Sequence, residues 1–120
     1  MNAAIRAATL ISRAAGVEVY GVERGYKGLV EGAFVPLGAT DVQGILRDGG
    51  TILGSARCKE FHERAVRDRA RAQLSERGIE GLVVIGGNGS LTGALALGDP
   101  AEAGPRAPHV VGIPASIDND

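Results

Sequence analysis

Residues 79–94, IEGLVVIGGNGSLTGA, decide how the chain reads. Leu82, Val83, Val84 and Ile85 form a short apolar run whose β-branched members suit a strand buried on both faces. Gly86 and Gly87 end the run, and Asn88-Gly89-Ser90 lead into Leu91-Thr92-Gly93-Ala94-Leu95, which reads as a helix start. Strand, glycine turn and helix N-terminus together offer unpaired backbone N–H groups and the positive end of a helix dipole to an anion. Glycine removes the Cβ that would hold a phosphate away from the backbone. A tight βα turn without a ligand would account for Gly86, Gly87 and Gly89 equally well, and this stretch alone does not separate the two.

Working outward, residues 59–77 predict a single helix. Ala65, Val66, Ala70 and Leu74 make its apolar stripe, and Glu63/Arg67 and Arg64/Asp68 pair at four-residue spacing. The remaining charges, Arg69, Arg71 and Glu76 among them, read as a solvated outer face, and Gly78 as the residue that ends the helix. On the other side, residues 98–108 (GDPAEAGPRAP) read as a surface connection, His109–Ile113 as the next strand, and Pro114-Ala115-Ser116 as its turn. A strand, a helix and a strand imply a right-handed βαβ crossover, a parallel sheet and an α/β fold. Loops at the carboxyl ends of adjacent parallel strands meet at one edge. That geometry sets Gly87–Ser90 beside Ser116–Asp120, with the Arg57 loop nearby. Asp118 and Asp120, spaced i, i+2, point to one side of an extended segment. A phosphate cradle facing paired carboxylates supplies what phosphoryl transfer needs, Mg²⁺ ligands and a base for an acceptor hydroxyl. Arg57, after Ser55, is either a phosphate-facing guanidinium or a member of a surface salt bridge.

The remaining segments set the frame. Residues 1–15 carry Arg6 and Arg13 and no acid, as a targeting peptide would, but Ile5, Ala8 and Ile11 on one face and Gly16 as a stop predict a domain helix. Val17–Val22 reads as a strand, and Leu29-Val30 and Ala33-Phe34-Val35 flank Glu31-Gly32 like a short hairpin closed by Pro36. Thr40 or Asp41 caps a short helix through Val42, Ile45 and Leu46, and residues 51–54 are a stub. With 120 residues the chain is one domain at most, small for a complete α/β enzyme. A net charge of −1 argues against a nucleic-acid surface or an electrostatic membrane anchor. The single cysteine, Cys58, excludes an internal disulfide and fits a reducing compartment. No apolar run reaches membrane-spanning length.

Five segments, MNAAIR (1–6), GYKGLVEG (25–32), GGTILGSARCKEF (49–61), GIEGLVVIGGNGSLTGA (78–94) and GIPASIDND (112–120), closely resemble the N-terminal portion of 6-phosphofructokinases, in the family's order. The resemblance implies a Rossmann-like βαβ half of the phosphofructokinase ATP-binding domain, spanning 1–120 of a longer subunit and lacking the family's first strand and its GGDAPG loop. It implies transfer of a phosphoryl group from ATP to the 1-hydroxyl of fructose 6-phosphate, with Mg²⁺, in a cytoplasmic, glycolytic, allosteric homotetramer, and an isolated fragment that is inactive. Arg57 and Cys58 match the pair that contacts ATP, and Gly87, Asn88, Gly89 and Ser90 match the loop around the ATP phosphates and metal. Ser116, Ile117 and Asp118 match the sugar-phosphate segment, with Asp118 as catalytic base, and Asp120 matches the carboxylate near the metal. Arg6 matches an effector-site arginine. Asn88 stands where most members carry a metal-binding aspartate, and Ala115 and Ser116 replace Gly and Thr. Gly89 and Ala115 are small where pyrophosphate-dependent relatives carry Asp and Lys, which points to ATP as donor. Two other readings remain: a non-catalytic nucleotide-binding or regulatory fragment, and a lipid- or NAD-kinase-like protein, whose loops are similar.

Overall fold

The computed structural model describes residues 2–44, 52–56 and 58–115. The predicted first helix forms as α1 (Asn2–Ala14), and Gly16, with φ +80°, ends it in the left-handed region. Its inward face differs from the expected one: Asn2, Ile5 and Thr9 are buried, while Ile11 is 71% exposed. Ile11 follows Ile5 by six residues, which at 3.6 residues per turn carries it to the far side. Asn2 turns inward because its Oδ1 accepts the Ile52 N–H at 2.8 Å.

The next strand, β1 (Val19–Val22), pairs antiparallel with β2 (Phe34–Leu37), from Val19↔Leu37 to Val22↔Phe34. The predicted hairpin is overturned: Leu29 and Val30 belong to a helix, α2 (Gly25–Glu31), which stops at Gly32 with φ 80°. Pro36 lies inside β2 instead of closing a hairpin. What allows α2 is Gly28, where an added Cβ would stand 1.6 Å from the Glu23 carbonyl oxygen. Local apolar spacing does not report a contact with the strand just left behind. The short helix expected from Thr40 or Asp41 is a turn over its described part, in which Asp41 Oδ2 accepts the Gly38 N–H at 2.6 Å. Ile45 and Leu46 lie outside the described residues.

The second half keeps the expected helix–strand–helix–strand order and adds a short helix within residues 98–108, which read as a surface connection alone. Lys59–His62 is a 3₁₀ turn, α3 runs Arg64–Glu76, β3 Gly81–Gly86, α4 Asn88–Leu97, α5 Pro100–Ala103, and β4 His109–Pro114. β3 and β4 are parallel, in register from Gly81↔His109 to Gly86↔Pro114, so the βαβ crossover and parallel pair are present. The single helix expected over 59–77 is broken at Glu63, whose backbone is extended (φ −85°, ψ 131°). Glu63 therefore does not pair with Arg67, which bonds to Glu102 instead. Ala65, counted in the apolar stripe, is exposed, and Arg71, assigned to the solvated face, is 1% exposed within a cluster of charges. Gly78 (φ +67°) ends the helix as expected.

Leu29, Phe61, Val66, Ala70, Leu74 and Leu97 form the main core, and Ile5, Leu37 and Val42 a smaller one. α4 covers one face of the parallel pair, with Leu91 close over Gly112 and Val110 close against Gly98. The opposite face is more open: Val83 is 45% and Val111 59% exposed, so the predicted burial of both faces is not met.

Candidate functional site

α4 starts at Asn88, ahead of the expected Leu91, and Gly87 is its N-cap. The Leu91 N–H donates to the Gly87 carbonyl at 3.0 Å. The N–H groups of Asn88, Gly89 and Ser90 thus form the first turn, where a helix supplies no acceptor. The glycines divide by purpose. A Cβ on Gly86 would come within 2.8 Å of the Ser90 side chain, so Gly86 is needed to fold the turn. A Cβ on Gly87 or Gly89 would meet nothing within 4 Å, and Gly87 has φ −88°, open to any residue. The chain's own sterics do not require glycine at 87 or 89. What their absent side chains leave is clear space above a row of helix N–H groups, where an anion fits.

The carboxyl end of β4 adjoins this turn, since the Ala115 N–H donates to the Gly86 carbonyl at 2.8 Å. Of the residues expected to complete the site, Arg57, Ser116, Ile117, Asp118 and Asp120 lie outside the described residues. Cys58 borders the same open groove as Gly87, Gly89 and Ser90, a space of about 1690 Å³ that also runs along β1 and β3. Burial, and then the nearby Glu60 carboxylate, push the Cys58 thiol above its ordinary value, so it stays a neutral contact group. Arg6, half-buried on α1, does not line this groove.

Two residues that the sequence reading passed over hold the turn. Tyr26 donates its hydroxyl to the Ser90 carbonyl, and its ring stacks on Phe61 with centroids 4.0 Å apart and planes 7° from parallel. Gly93 lets both rings rest on α4, since a Cβ there would lie 2.9 Å from the Tyr26 ring. Burial pushes the Tyr26 hydroxyl up to about 12, so it remains a donor at neutral pH. GYKG carried a faint signal for this, an aromatic between two glycines that precedes an apolar pair.

A divalent cation would meet few charged ligands among the described residues. Among the described residues no three His, Cys, Asp or Glu side chains cluster, and Asn88 offers a neutral amide oxygen where a carboxylate would serve better.

The family model described as Phosphofructokinase matches residues 1–120. The chain belongs to the phosphofructokinase family. It is 53% identical over all its 120 residues to an ATP-dependent 6-phosphofructokinase of Thermotoga neapolitana, and 50% identical to ATP-dependent 6-phosphofructokinase 1 of Thermus thermophilus. It spans 36% of the length of each of these relatives. Among solved structures, phosphofructokinase from Saccharomyces cerevisiae superposes with a TM-score of 0.87 at 37% identity, over 99% of this chain and 18% of the other. The Pichia pastoris phosphofructokinase in the T-state gives 0.88 at 36% identity, over 99% of this chain and 15% of the other. The α/β reading with a Rossmann-like parallel pair stands, and the lipid- or NAD-kinase reading is set aside. Within the phosphofructokinase fold, then, the open glycines stand at the start of the helix that follows β3. Among the described residues no helix is long and apolar enough to cross a membrane.

Proposed function

We propose that residues 1–120 are the nucleotide-binding part of an ATP-dependent 6-phosphofructokinase, and that the complete polypeptide transfers the γ-phosphoryl group of ATP to the 1-hydroxyl of fructose 6-phosphate. The observation that carries this reading is the first turn of α4, where Gly87 and Gly89 leave open space over backbone N–H groups. Gly87, Asn88, Gly89 and Ser90 hold the phosphate chain, with Arg57 and Cys58 along the nucleotide. Ser116, Ile117 and Asp118 take the sugar phosphate. Asp118 accepts the proton of the 1-hydroxyl as that oxygen attacks the γ-phosphorus and ADP leaves. Asn88 and Asp120 are the residues that would face a Mg²⁺ ion, the amide the weaker of the two, and the ion would supply charge neutralisation at the phosphates. Arg6 belongs to an effector site between subunits of a cytoplasmic homotetramer.

ATP titration of the purified chain tests the reading, with wild type compared to Gly89→Asp. A carboxylate in the first turn of α4 favours the helix by about 0.3–1 kcal/mol, while it repels the phosphates. The expected result is unchanged or raised thermal stability with ATP affinity at least roughly tenfold lower, a cost of about 1.4 kcal/mol. Equal affinity in the two proteins removes the phosphates from this turn. A second reading, nucleotide binding without catalysis, is favoured by Asn88. Fructose 1,6-bisphosphate formation by the full-length polypeptide, followed in a coupled assay, decides between the two.

A further inference from the structure

The two ends of α4 belong to one closed circuit of contacts. At the carboxyl end, Arg71 donates from Nη2 to the Ala96 carbonyl at 2.9 Å and from Nε to the Leu97 carbonyl at 3.1 Å. The same guanidinium donates to Asp68 Oδ1 at 2.7 Å and to Glu102 Oε1 at 2.8 Å. Glu102 also takes Arg67 in a forked pair, 2.8 Å to each oxygen, and Arg67 Nη1 donates to the Phe61 carbonyl at 2.9 Å. Phe61 carries the Tyr26 ring, and the Tyr26 hydroxyl donates to the Ser90 carbonyl. The circuit thereby returns to the turn whose N–H groups face the groove.

Stability alone does not account for it. Arg71 is 1% exposed, and removing a guanidinium from water costs several kcal/mol that even good ion pairs often only offset. Apolar side chains of similar volume would often hold such a site as well. A forked donor adds direction, because it can donate to both carbonyls in one placement only. α4 needs that restraint. Its sequence, NGSLTGALAL, is mostly small residues, with only Ala94 and Leu97 buried, so its own side chains give little grip along the axis beyond Leu91 over Gly112 and the rings on Gly93. A displacement of about 1 Å at a reacting centre can cost on the order of 10²-fold in rate.

We infer that Arg71, held by Glu102, is a positioning residue: through α4 it sets where the N–H groups of Asn88, Gly89 and Ser90 stand. The inference rests on the nucleotide reading above. Glu102 lies on α5, in the connection first read as mere surface, and the circuit gives that connection a role.

The test titrates ATP into the 120-residue chain as wild type, Arg71→Met, Glu102→Gln and Arg69→Met, at a temperature where circular dichroism shows each folded. Arg69 is exposed on the same helix and controls for the loss of one positive charge. Arg71→Met and Glu102→Gln are expected to weaken ATP roughly tenfold, with Arg69→Met unchanged. The Glu102 variant discriminates by sign. Removing a carboxylate relieves repulsion of an anionic ligand, so a purely Coulombic role predicts tighter binding, and a merely structural one predicts a lower melting point with unchanged affinity. Folded Glu102→Gln that binds ATP as tightly as wild type, or more tightly, overturns the inference. If Arg71→Met does not fold, Glu102→Gln and Arg71→Lys decide. The backbone amide resonances of Gly89 and Ser90, recorded without ligand, give a separate readout: displacement in Glu102→Gln supports positioning, and coincidence with wild type overturns it. A wild-type chain that binds no ATP sinks the nucleotide reading, and the amide resonances still judge the circuit.

Discussion

A methyl group placed on Gly28 would sit 1.6 Å from the Glu23 carbonyl oxygen, whereas one placed on Gly89 would touch nothing within 4 Å. The first glycine lets a helix fold back on a strand, and the second leaves room for something that is not protein. Gly28→Ala should therefore lower stability by about 3 kcal/mol or more, since the clash is with backbone that cannot swing aside. Urea unfolding checks it, and a midpoint within error of wild type would show that α2 tolerates a shift. Asn88, the first residue of α4, supports a different prediction. An amide lacks the charge with which carboxylates hold Mg²⁺. Asn88→Asp in the complete polypeptide should lower the Mg²⁺ concentration for half-maximal rate and raise kcat, by up to the roughly 10²-fold linked to one preorganised electrostatic group. If rate against Mg²⁺ is the same for both proteins, position 88 serves only the turn, where Asn and Asp are about equally suited.

At the scale of elements, what was legible followed the strength of local pattern. β3 and β4 were found from continuous apolar runs, and the ends of α1 and α3 from Gly16 and Gly78, because a left-handed residue after a helix is a local requirement. α2 was missed because its apolar pair, Leu29-Val30, fits a short strand as well as a short helix. α5 could have been found: Asp99-Pro100 is a cap followed by the residue suited to the first helical position, and Asp99 Oδ1 does accept the Ala101 N–H at 2.9 Å. Missing it hid Glu102. The bonds from Arg67 and Arg71 hold the Glu102 carboxyl down to about 2 from an ordinary 4.5. A depressed folded value gives stability that is complete above 4.5 and fades as pH falls toward 2. Thermal midpoints of wild type and Glu102→Gln should thus differ most near neutrality, and the gap should narrow below about pH 4.5. A gap that stays constant down to about pH 3 would show that Glu102 gains nothing from its charge.

For the molecule as a whole, the described residues form two sheets of two strands each, β1 with β2 and β3 with β4. β1 and β3 border the same groove, which also carries the exposed Val83 (45%) and Tyr20 (41%), with Val111 (59%) beside Val83 in register. Strand edges without a strand neighbour, next to exposed apolar side chains, favour association between chains. Sedimentation velocity should show average mass rising with protein concentration, and Val83→Lys should suppress the rise; a monomer at every concentration would count against an adhesive face. The sequence alone determined the βαβ order, the glycine turn between β3 and α4, and the family, because each is written in contiguous residues whose spacing is its own signal. Tertiary structure alone decided that α2 is a helix, that β1 pairs antiparallel with β2, and that Arg71 is buried with Glu102. Each of these depends on which distant segment arrives alongside. A guanidinium on an otherwise solvated helix face reads as solvated until another part of the chain brings a carboxylate and two helix-end carbonyls within about 3 Å of it.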